Sequence, residues 1–325
     1  MKISAIIPVY KVEKFIERCV VSLMEQTFCE MEYIFVDDAS TDNSIEILQT
    51  VVRRYPHRLP NVKIITHEKN MGLPAARNTG LAIAQGEYVF HCDSDDYIES
   101  DMLELLYCKA KEHDADVVWS DYFITFDKKK KVISQPYFNT PQDAVRGMLR
   151  GMMKYNVWNK LCRRSLYEDN NIKFPEGRSM GEDLTMIMVF LHARKCAYVN
   201  KPLYNYVQNP NQMTANYNEE KLEALRYNCN RIAHYIDSYF SHIDYRCEYS
   251  ALKQLMKWPF LLDGKYSSYK RWHKWFPESN AFIWQTVGVN NRIRFIEWCA
   301  AKRIWPVIWL HYILVIKFYY GIVYR

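Results

Sequence analysis

Short apolar runs alternate, over the first 120 residues, with segments whose apolar positions recur at helical spacing. Residues 12–26, 42–52, 73–84 and 101–113 show the helical spacing. The apolar runs have the length of strands and occupy residues 3–9, 33–36, 62–66, 87–92 and 116–120. Strands that alternate with helices of this length predict an α/β fold, with a mainly parallel sheet flanked by helices.

Polar side chains follow three of the predicted strands. In a parallel sheet the carboxyl ends of the strands meet at one edge, and ligands bind there. The residues at this edge are Pro8, Tyr10, Asp37, Asp38, Asp93 and Asp95. Their convergence is the strongest indication of a functional site that the pattern alone provides.

The pattern changes near residue 210, so we expect two parts, 1–210 and 211–325. Residues 219–240 and 250–262 have helical spacing, and the second part is predicted to be mostly helical. Residues 251–325 carry 12 Lys and Arg against 3 Asp and Glu, and they hold seven of the nine tryptophans. The two parts therefore face different surroundings.

Composition excludes several classes of protein. With 49% hydrophobic and 25% charged residues, the chain is neither disordered nor a small disulfide scaffold. It has no G-x-G-x-x-G and no P-loop motif, which argues against a classical dinucleotide fold and a P-loop NTPase. The nine cysteines form no C-x-x-C pair, and the amino terminus has no secretion signal pattern. We therefore expect reduced thiols and a cytoplasmic protein.

Asp93 and Asp95 directly follow a predicted strand. Two carboxylates so placed can bind Mg²⁺ or Mn²⁺, and the cation can in turn hold a diphosphate. The alternative is an Asp-rich turn that only caps the following helix. The residues alone leave both interpretations open.

Five motifs in register carry a resemblance to a known family. They are Ile6–Tyr10, Val36–Asp42, Asn70–Gly80, Asp93–Asp96 and the downstream pair of Trp158–Lys160 with Gly181–Leu184. Their order and spacing, over roughly residues 1–205, are similar to those of the family 2 glycosyltransferases. The resemblance implies a GT-A fold, a nucleotide-diphospho-sugar donor, a divalent metal ion and inversion at the anomeric carbon.

The resemblance also implies the nucleotide-binding residues. Pro8, Tyr10 and Glu13 match the edge of the family's nucleobase pocket. Asp38 matches the carboxylate that accepts the uracil N3–H, which favours a UDP-sugar. Asp37 and Asp42 are equally compatible with capping of a helix N-terminus.

The resemblance also implies which residues contact the diphosphate, the ribose, the sugar and the metal ion. Arg77 and Asn78 match positions beside the diphosphate and ribose. Asp93 would contact ribose and sugar, with Ser94 beside it, and would share the metal with Asp95, the main ligand. The metal is expected to be Mn²⁺ or Mg²⁺.

The acceptor side is expected downstream. An inverting transfer needs a base that removes the proton of the acceptor hydroxyl. Asp183 matches the family's base, and Glu182 would contact or support the acceptor. Trp158 and Lys160 would form part of the acceptor-side wall, with structural packing as an equal alternative.

Residues 304–323 are apolar, aromatic and basic, but Pro306, His311 and Lys317 interrupt them. Trp, Tyr, Lys and Arg favour the membrane interface, so we expect this segment to lie on an anionic membrane rather than to span it. A true membrane span and a contact within a soluble core or an oligomer are the alternatives. Nucleic acid is a further rival for a basic aromatic segment, but no nucleic-acid motif supports it.

The sequence thus predicts a metal-dependent inverting glycosyltransferase, peripheral to the inner face of the cell membrane. It would add one sugar to a growing surface polysaccharide or to an oligosaccharide on a lipid-diphosphate carrier. A catalytically silent sugar-nucleotide-binding module and, less favoured, a nucleotidyltransferase are the alternatives. The transferred sugar, the acceptor and the oligomeric state stay open.

Overall fold

The computed structural model describes residues 1–126, 129–178, 180–208 and 218–320. Within them, nine strands form one sheet. They are β1 (Ile3–Val9), β2 (Met31–Asp37), β3 (Val62–Thr66), β4 (Tyr88–His91), β5 (Tyr97–Ile98), β6 (Val117–Phe126), β7 (Lys129–Ile133), β8 (Lys160–Arg163) and β9 (Cys196–Val207). The expected α/β class is confirmed.

Helices follow most of the early strands and make up most of the later chain. In chain order they are α1 (Ile16–Met24), α2 (Ser44–Val52), α3 (Leu73–Ile83), α4 (Met102–His113), α5 (Pro141–Leu149), α6 (Ser165–Asp169), α7 (Thr185–His192), α8 (Glu219–Tyr239), α9 (Arg246–Lys257), α10 (Tyr266–Lys274), α11 (Asn291–Ala301) and α12 (Trp305–His311). A π-helix, Tyr312–Tyr320, continues α12.

The sheet runs in the order β3-β2-β1-β4-β8-β6-β9-β5, with β7 paired to β6. The pairs β2–β3, β1–β2 and β1–β4 are parallel, as expected for alternating strands and helices. Beyond β4 only β6–β9 is parallel, and the other pairs are antiparallel. The sheet is therefore mixed: sequence periodicity identified its parallel half but did not identify β5, β7, β8 and β9.

The parallel half is a buried core. Every residue of β1, β2 and β4 is buried, which is typical of strands covered by helices on both faces. Helix α3 packs against β1 and β2. The close approach depends on Gly80, because a Cβ built there would lie 2.3 Å from Cγ2 of Ile6. This approach holds α3, the helix that carries Arg77, against the central strands β1 and β2.

The chain divides into two compact units. The first contains Met1–Val145 and Lys154–Asn228, and the second contains Arg146–Met153 and the chain from Cys229 onward. The predicted boundary at residue 210 lies outside the described residues, which omit 209–217. The structure thus adds a short segment before residue 154 to the unit formed by the helical carboxy-terminal part.

In the second unit, residues 291–308 contribute to the core. Ile296, Cys299, Ala300 and Ile308 are buried, and the Trp305 ring stacks on Tyr269 at a centroid distance of 5.8 Å. By contrast, large apolar side chains on and after α12 are exposed, namely Trp309, Leu310, Leu314 and Phe318. No helix in the described part of the chain is long and apolar enough to cross a membrane. The apolar segment that begins at 304 thus combines core packing with an exposed apolar face.

Candidate active site

The carboxyl ends of β1, β2 and β4 meet at one edge, as the sequence predicted. The backbone bends sharply after β1 and after β2, where Lys11 and Ala39 adopt positive φ angles of 53° and 57°. These bends are linked, because the amide of Lys11 donates to the Ser40 hydroxyl at 3.2 Å. Non-glycine residues in this conformation cost free energy and concentrate at functional sites.

The expected nucleobase edge contains one accessible aromatic ring. Tyr10 is exposed, whereas Pro8 lies inside β1. The Glu13 carboxylate accepts from the backbone amide and the side chain of Asn43, and the Glu13 amide donates to Asp42. Glu13 and Asp42 therefore fasten the loop after β1 to the N-terminus of α2.

Asp38 is almost fully buried and accepts three hydrogen bonds. His67 Nδ1 and the amide of Met71 lie 2.8 and 2.7 Å from its Oδ1, and the amide of Gly72 lies 2.8 Å from its Oδ2. The second ring nitrogen of His67 lies 2.9 Å from the Thr79 hydroxyl. The structure therefore gives Asp38 a role in holding the loop before α3, and sequence reasoning missed His67 altogether.

The three carboxyl groups in the turn after β4, those of Asp93, Asp95 and Asp96, lie in different environments. Asp96 is buried, with Tyr204 Oη at 2.8 Å and the Val207 amide at 2.7 Å. Burial raises its pKa well above the ordinary value, and the charges of Asp95 and Asp93 add to the rise. The side chain of Asp96 is thus hydrogen-bonded to β9. Asp93 and Asp95 are partly exposed, and Ser94 is buried.

Asp93 and Asp95 fit a divalent cation that shares its coordination shell with a substrate. Mg²⁺ and Mn²⁺ accept oxygen ligands, and Mg²⁺ commonly takes one or two carboxylates together with water and substrate phosphates. No group of three or more His, Cys, Asp or Glu in the described residues could hold a metal by itself. The turn therefore suits a metal–diphosphate complex better than a cation caged by protein alone.

Arg77 joins the turn after β4 to the Glu182–Asp183 motif, which are the predicted donor and acceptor sides of the site. Its Nη2 donates to Asp93 Oδ1 at 2.9 Å, and its Nη1 donates to Asp183 Oδ1 at 2.8 Å. The guanidinium lies over the Phe174 ring, 5.4 Å from the centroid, and only 1% of the side chain is exposed. Burial alone would lower the pKa of Arg77, but the carboxylates of Asp93 and Asp183 raise it above its usual value. Arg77 is therefore a permanently charged fork between two candidate functional carboxylates.

Asp183 and Glu182 are neighbouring carboxyl groups, and both have raised pKa values. They lie in a 3₁₀ turn after Gly181, whose φ of 80° and close approach to Leu225 of α8 suit a residue without a Cβ. Burial raises the pKa of Asp183, and Arg77 limits the rise. Burial also raises the pKa of Glu182 to about 8, with the charge of Asp183 adding to the effect. A carboxylate with a raised pKa is a stronger base, which suits proton abstraction near neutral pH.

The remaining predicted residues support loops. Asn78 donates to the carbonyl of Phe174 and accepts from its amide, and it also donates to Glu176. In this structure its polar side chain is therefore directed to the loop after α6 rather than to Asp93. The predicted diphosphate contact of Asn78 stays a prediction.

Trp158 and Lys160 are both buried, although their contacts differ. Trp158 stacks on Tyr204 and Tyr206, with centroids 4.3 and 5.4 Å away. Lys160 is 1% exposed, and its Nζ donates to three oxygens of residues 154–159. Burial lowers the pKa of Lys160 to about 7. Lys160 thus braces the loop that carries Trp158, and its ammonium does not line an accessible acceptor wall in this structure.

Comparison with known proteins identifies the family. The model for glycosyl transferase family 2 matches residues 4–180, more than half of the chain. The chain therefore belongs to the family 2 glycosyltransferases. The region that carries the Asp38, Arg77 and Asp93 clusters lies within the match.

Two curated relatives show the range of the family. A cholesterol galactosyltransferase of Borreliella burgdorferi is 34% identical over 66% of this chain and 62% of its own length. The poly(ribitol-phosphate) β-N-acetylglucosaminyltransferase TarS of Staphylococcus aureus is 34% identical over 63% of this chain and 35% of its own length. The match thus spans less than two thirds of each relative.

Solved structures confirm the fold. S. aureus TarS residues 1–349 in complex with UDP-GlcNAc has a TM-score of 0.70 at 22% identity, covering 96% of this chain and 91% of that one. The mannosyltransferase PcManGT from Pyrobaculum calidifontis, in complex with GDP-Man and Mn²⁺, has a TM-score of 0.52 at 14% identity, covering 96% and 87%. The expected GT-A architecture is thereby confirmed. Because these two neighbours bind different nucleotides, the fold does not decide the nucleotide.

Proposed function

We propose that this protein is a metal-dependent inverting glycosyltransferase that moves one sugar from a UDP-sugar to a hydroxyl group. The acceptor would be a growing surface polysaccharide or a lipid-linked oligosaccharide. The observation that carries the proposal is the Arg77 fork, which holds a donor-side carboxylate and a candidate base in one hydrogen-bonded unit. A silent binding module would need no such connection between the two sides.

The reaction would be a single displacement. The acceptor oxygen attacks the anomeric carbon, the bond from that carbon to the diphosphate breaks, and UDP leaves with the bonding electrons. The Arg77 guanidinium donates to Oδ1 of Asp183 and makes that oxygen less basic, so Oδ2 is the oxygen that would take the acceptor's proton. Charge on the departing diphosphate would be neutralised by Mn²⁺ or Mg²⁺ held by Asp95 and Asp93.

The UDP donor is supported by two observations. A structural neighbour, TarS, is solved with UDP-GlcNAc. Tyr10 offers an exposed ring, and the carbonyl of the preceding residue, Val9, accepts a hydrogen bond of 2.9 Å from the amide of Asp38, whose carboxylate is proposed to accept the uracil N3–H. The names of the relatives support a hexose or N-acetylhexosamine as the transferred group and a polymer or lipid as the acceptor.

We further propose that the second unit rests on the anionic cytoplasmic face of the cell membrane. Between residues 291 and 320, five Lys and Arg stand against one acidic residue, Glu297, and that residue is buried. The exposed apolar side chains after Trp305 lie on the same segment. Apolar insertion and attraction to anionic headgroups would therefore act together.

The direct test of the enzymatic proposal uses Asp183→Asn in the full chain, with a panel of UDP-sugars and Mn²⁺. UDP binding should persist while transfer or donor hydrolysis falls by about 10² or more, the scale of a positioned general base. Asp169→Asn, at an exposed position at the end of α6, is the matched control and should behave as wild type. A product that retains the anomeric configuration, or wild-type activity that survives EDTA, would contradict the mechanism.

A further inference from the structure

His67 lies between Asp38 and Thr79, directly after β3, and none of the predicted motifs accounts for it. Its Nδ1 is 2.8 Å from Asp38 Oδ1, and its Nε2 is 2.9 Å from Thr79 Oγ1. The side chains of His67 and Asp38 are 8% and 4% exposed. His67 therefore connects the ends of β2 and β3 to helix α3 through hydrogen bonds that are almost fully shielded from solvent.

The partners of the ring assign its proton. An ionised carboxylate only accepts hydrogen bonds, so Nδ1 of His67 must carry the hydrogen that points to Asp38. In the neutral ring Nε2 then accepts, and the Thr79 hydroxyl donates to it. Thr79 thereby holds the imidazole with its N–H aimed at the carboxylate.

The acceptor capacity of Asp38 is almost used up. A carboxylate offers about four lone-pair sites, two on each oxygen. Oδ1 receives His67 and the Met71 amide, so it is saturated, whereas Oδ2 receives the Gly72 amide and retains one site. The small exposure of the side chain agrees with room for one additional donor.

We propose that His67 is a positioning residue that sets nucleotide specificity by blocking one oxygen of Asp38. This inference rests on the proposed function, in which Asp38 receives the nucleobase. Uracil presents a single imide N–H, which needs one lone pair. Guanine presents an N1–H and an N2–H side by side, and a carboxylate can pair with both only through its two oxygens. With Oδ1 saturated, guanine would leave a desolvated donor unpaired, and such a mismatch is strongly selected against.

Structural neighbours of this chain are solved with UDP-GlcNAc and with GDP-Man, so the fold itself is compatible with either nucleotide. A single residue near the nucleobase can therefore determine which nucleotide is preferred. His67 acts through Asp38 and is not placed to touch the reacting atoms. Its replacement should therefore alter the binding of the nucleotide and not the chemical step.

Three replacements separate the two hydrogen bonds of the ring. The amide of Asn reaches the place of Nδ1, so His67→Asn retains the donor to Asp38. The longer Gln side chain reaches the place of Nε2, so His67→Gln retains only the contact with Thr79. His67→Leu removes both, and His57→Leu, at an exposed position before β3, is the matched control.

The experiment measures UDP and GDP affinity by calorimetry with Mg²⁺ on the full chain, and KM and kcat for the donor. We expect wild type, His67→Asn and His57→Leu to prefer UDP by 10² or more. The preference should shrink about tenfold in His67→Leu and His67→Gln, with KM altered and kcat little changed. A ten-fold change corresponds to the loss of about one hydrogen bond.

Several outcomes would overturn the inference. If wild type prefers UDP and a folded His67→Leu variant retains the full preference, the role of His67 is refuted while the UDP donor stands. If wild type binds GDP as tightly as UDP, the proposed donor itself is wrong. If His67→Leu does not fold, the Asn and Gln variants decide, and equal selectivity in both refutes the proposal.

Discussion

Arg77 and Asp183, 106 residues apart in the chain, are joined by a 2.8 Å hydrogen bond from Nη1 to Oδ1. The same guanidinium holds Asp93 through its other terminal nitrogen. Asp183, the proposed base, and Asp93, the proposed donor-side carboxylate, are therefore fixed relative to each other by one planar group. A planar fork can serve two carboxylates at defined angles, whereas a lysine ammonium is a point charge on a flexible stem.

Replacing Arg77 with Lys should separate charge from geometry. The positive charge remains, but one ammonium cannot hold both carboxylates in the present arrangement, so transfer should fall by about 10², the cost of a small misplacement. UDP affinity should change less than kcat. Steady-state kinetics and UDP titration measure the two effects. Arg54→Lys, at an exposed ion pair with Glu17, is the control; wild-type kcat in Arg77→Lys would show that the fork is dispensable.

Asp95 provides the test of metal binding. Asp95→Asn should remove most of the metal-dependent part of UDP affinity, because the cation joins protein and diphosphate. UDP titrations with Mn²⁺ and with EDTA measure this part directly. Asp114→Asn, at an exposed left-handed position after α4, should leave it unchanged. Equal metal dependence in Asp95→Asn and wild type would assign the cation to other ligands.

Glu182 predicts how stability depends on pH. Burial raises its pKa from 4.5 to about 8, so between these values the native state holds a proton that the unfolded state has released. The contribution of Glu182 to the free energy of unfolding should therefore fall as pH rises from about 4.5 to 8. Glu182→Gln removes this contribution, so its stability should fall less steeply over that range. Urea unfolding at pH 5, 6.5 and 8 tests the difference, and parallel curves for the two proteins would contradict it.

The exposed face after α12 predicts membrane binding. Residues 291–308 contribute to the core of the second unit, so point variants are a better test than truncation. The triple variant Trp309→Ser, Leu314→Ser and Phe318→Ser should reduce binding to anionic vesicles by at least 10², since each buried side chain contributes about 1.5–3 kcal/mol. Co-sedimentation with vesicles at low and high salt separates the two contributions to binding, because salt screens the electrostatic attraction and leaves the apolar insertion.

The control for this face lies on the hairpin of the first unit. Phe126→Ser and Val132→Ser remove apolar side chains of similar exposure from β6 and β7. They should leave vesicle binding unchanged. If they lower it as much as the triple variant does, the exposed face after α12 is not the membrane contact.

Local periodicity was sufficient to predict the parallel half of the fold. The runs that became β1, β2 and β4 are buried on both faces, and such strands appear in sequence as continuous apolar segments. Strands β8 and β9 were missed because neither is a continuous apolar run. Strand β8 has only four residues, with Lys160 and Arg163 at its ends, and Asn200, Lys201 and Pro202 interrupt β9. Their places in the sheet were not predictable either, since no local pattern encodes the pairing of Val117 with Cys162 and with Cys196.

The candidate site was likewise predictable only in part from the sequence. The residue types at strand ends indicated Asp93 and Asp95, and motif register indicated Asp183. The contacts among them were not predictable from spacing, since Arg77 was assigned to the diphosphate and not to a bridge between carboxylates. His67 follows a strand and has no partner nearby in sequence, so its link to Asp38 became visible only in three dimensions.

The buried carboxyl group of Asp96 makes the candidate site depend on a strand that is distant in the chain. Its hydrogen bonds to Tyr204 and to the Val207 amide close loops of 108 and 111 residues. Closing loops of this length carries an entropic cost, which the packing of β9 has to offset. The shape of the turn with Asp93 and Asp95 therefore depends on the docking of β9. A substitution that loosens β9 should weaken the proposed nucleotide binding although it lies outside the candidate site.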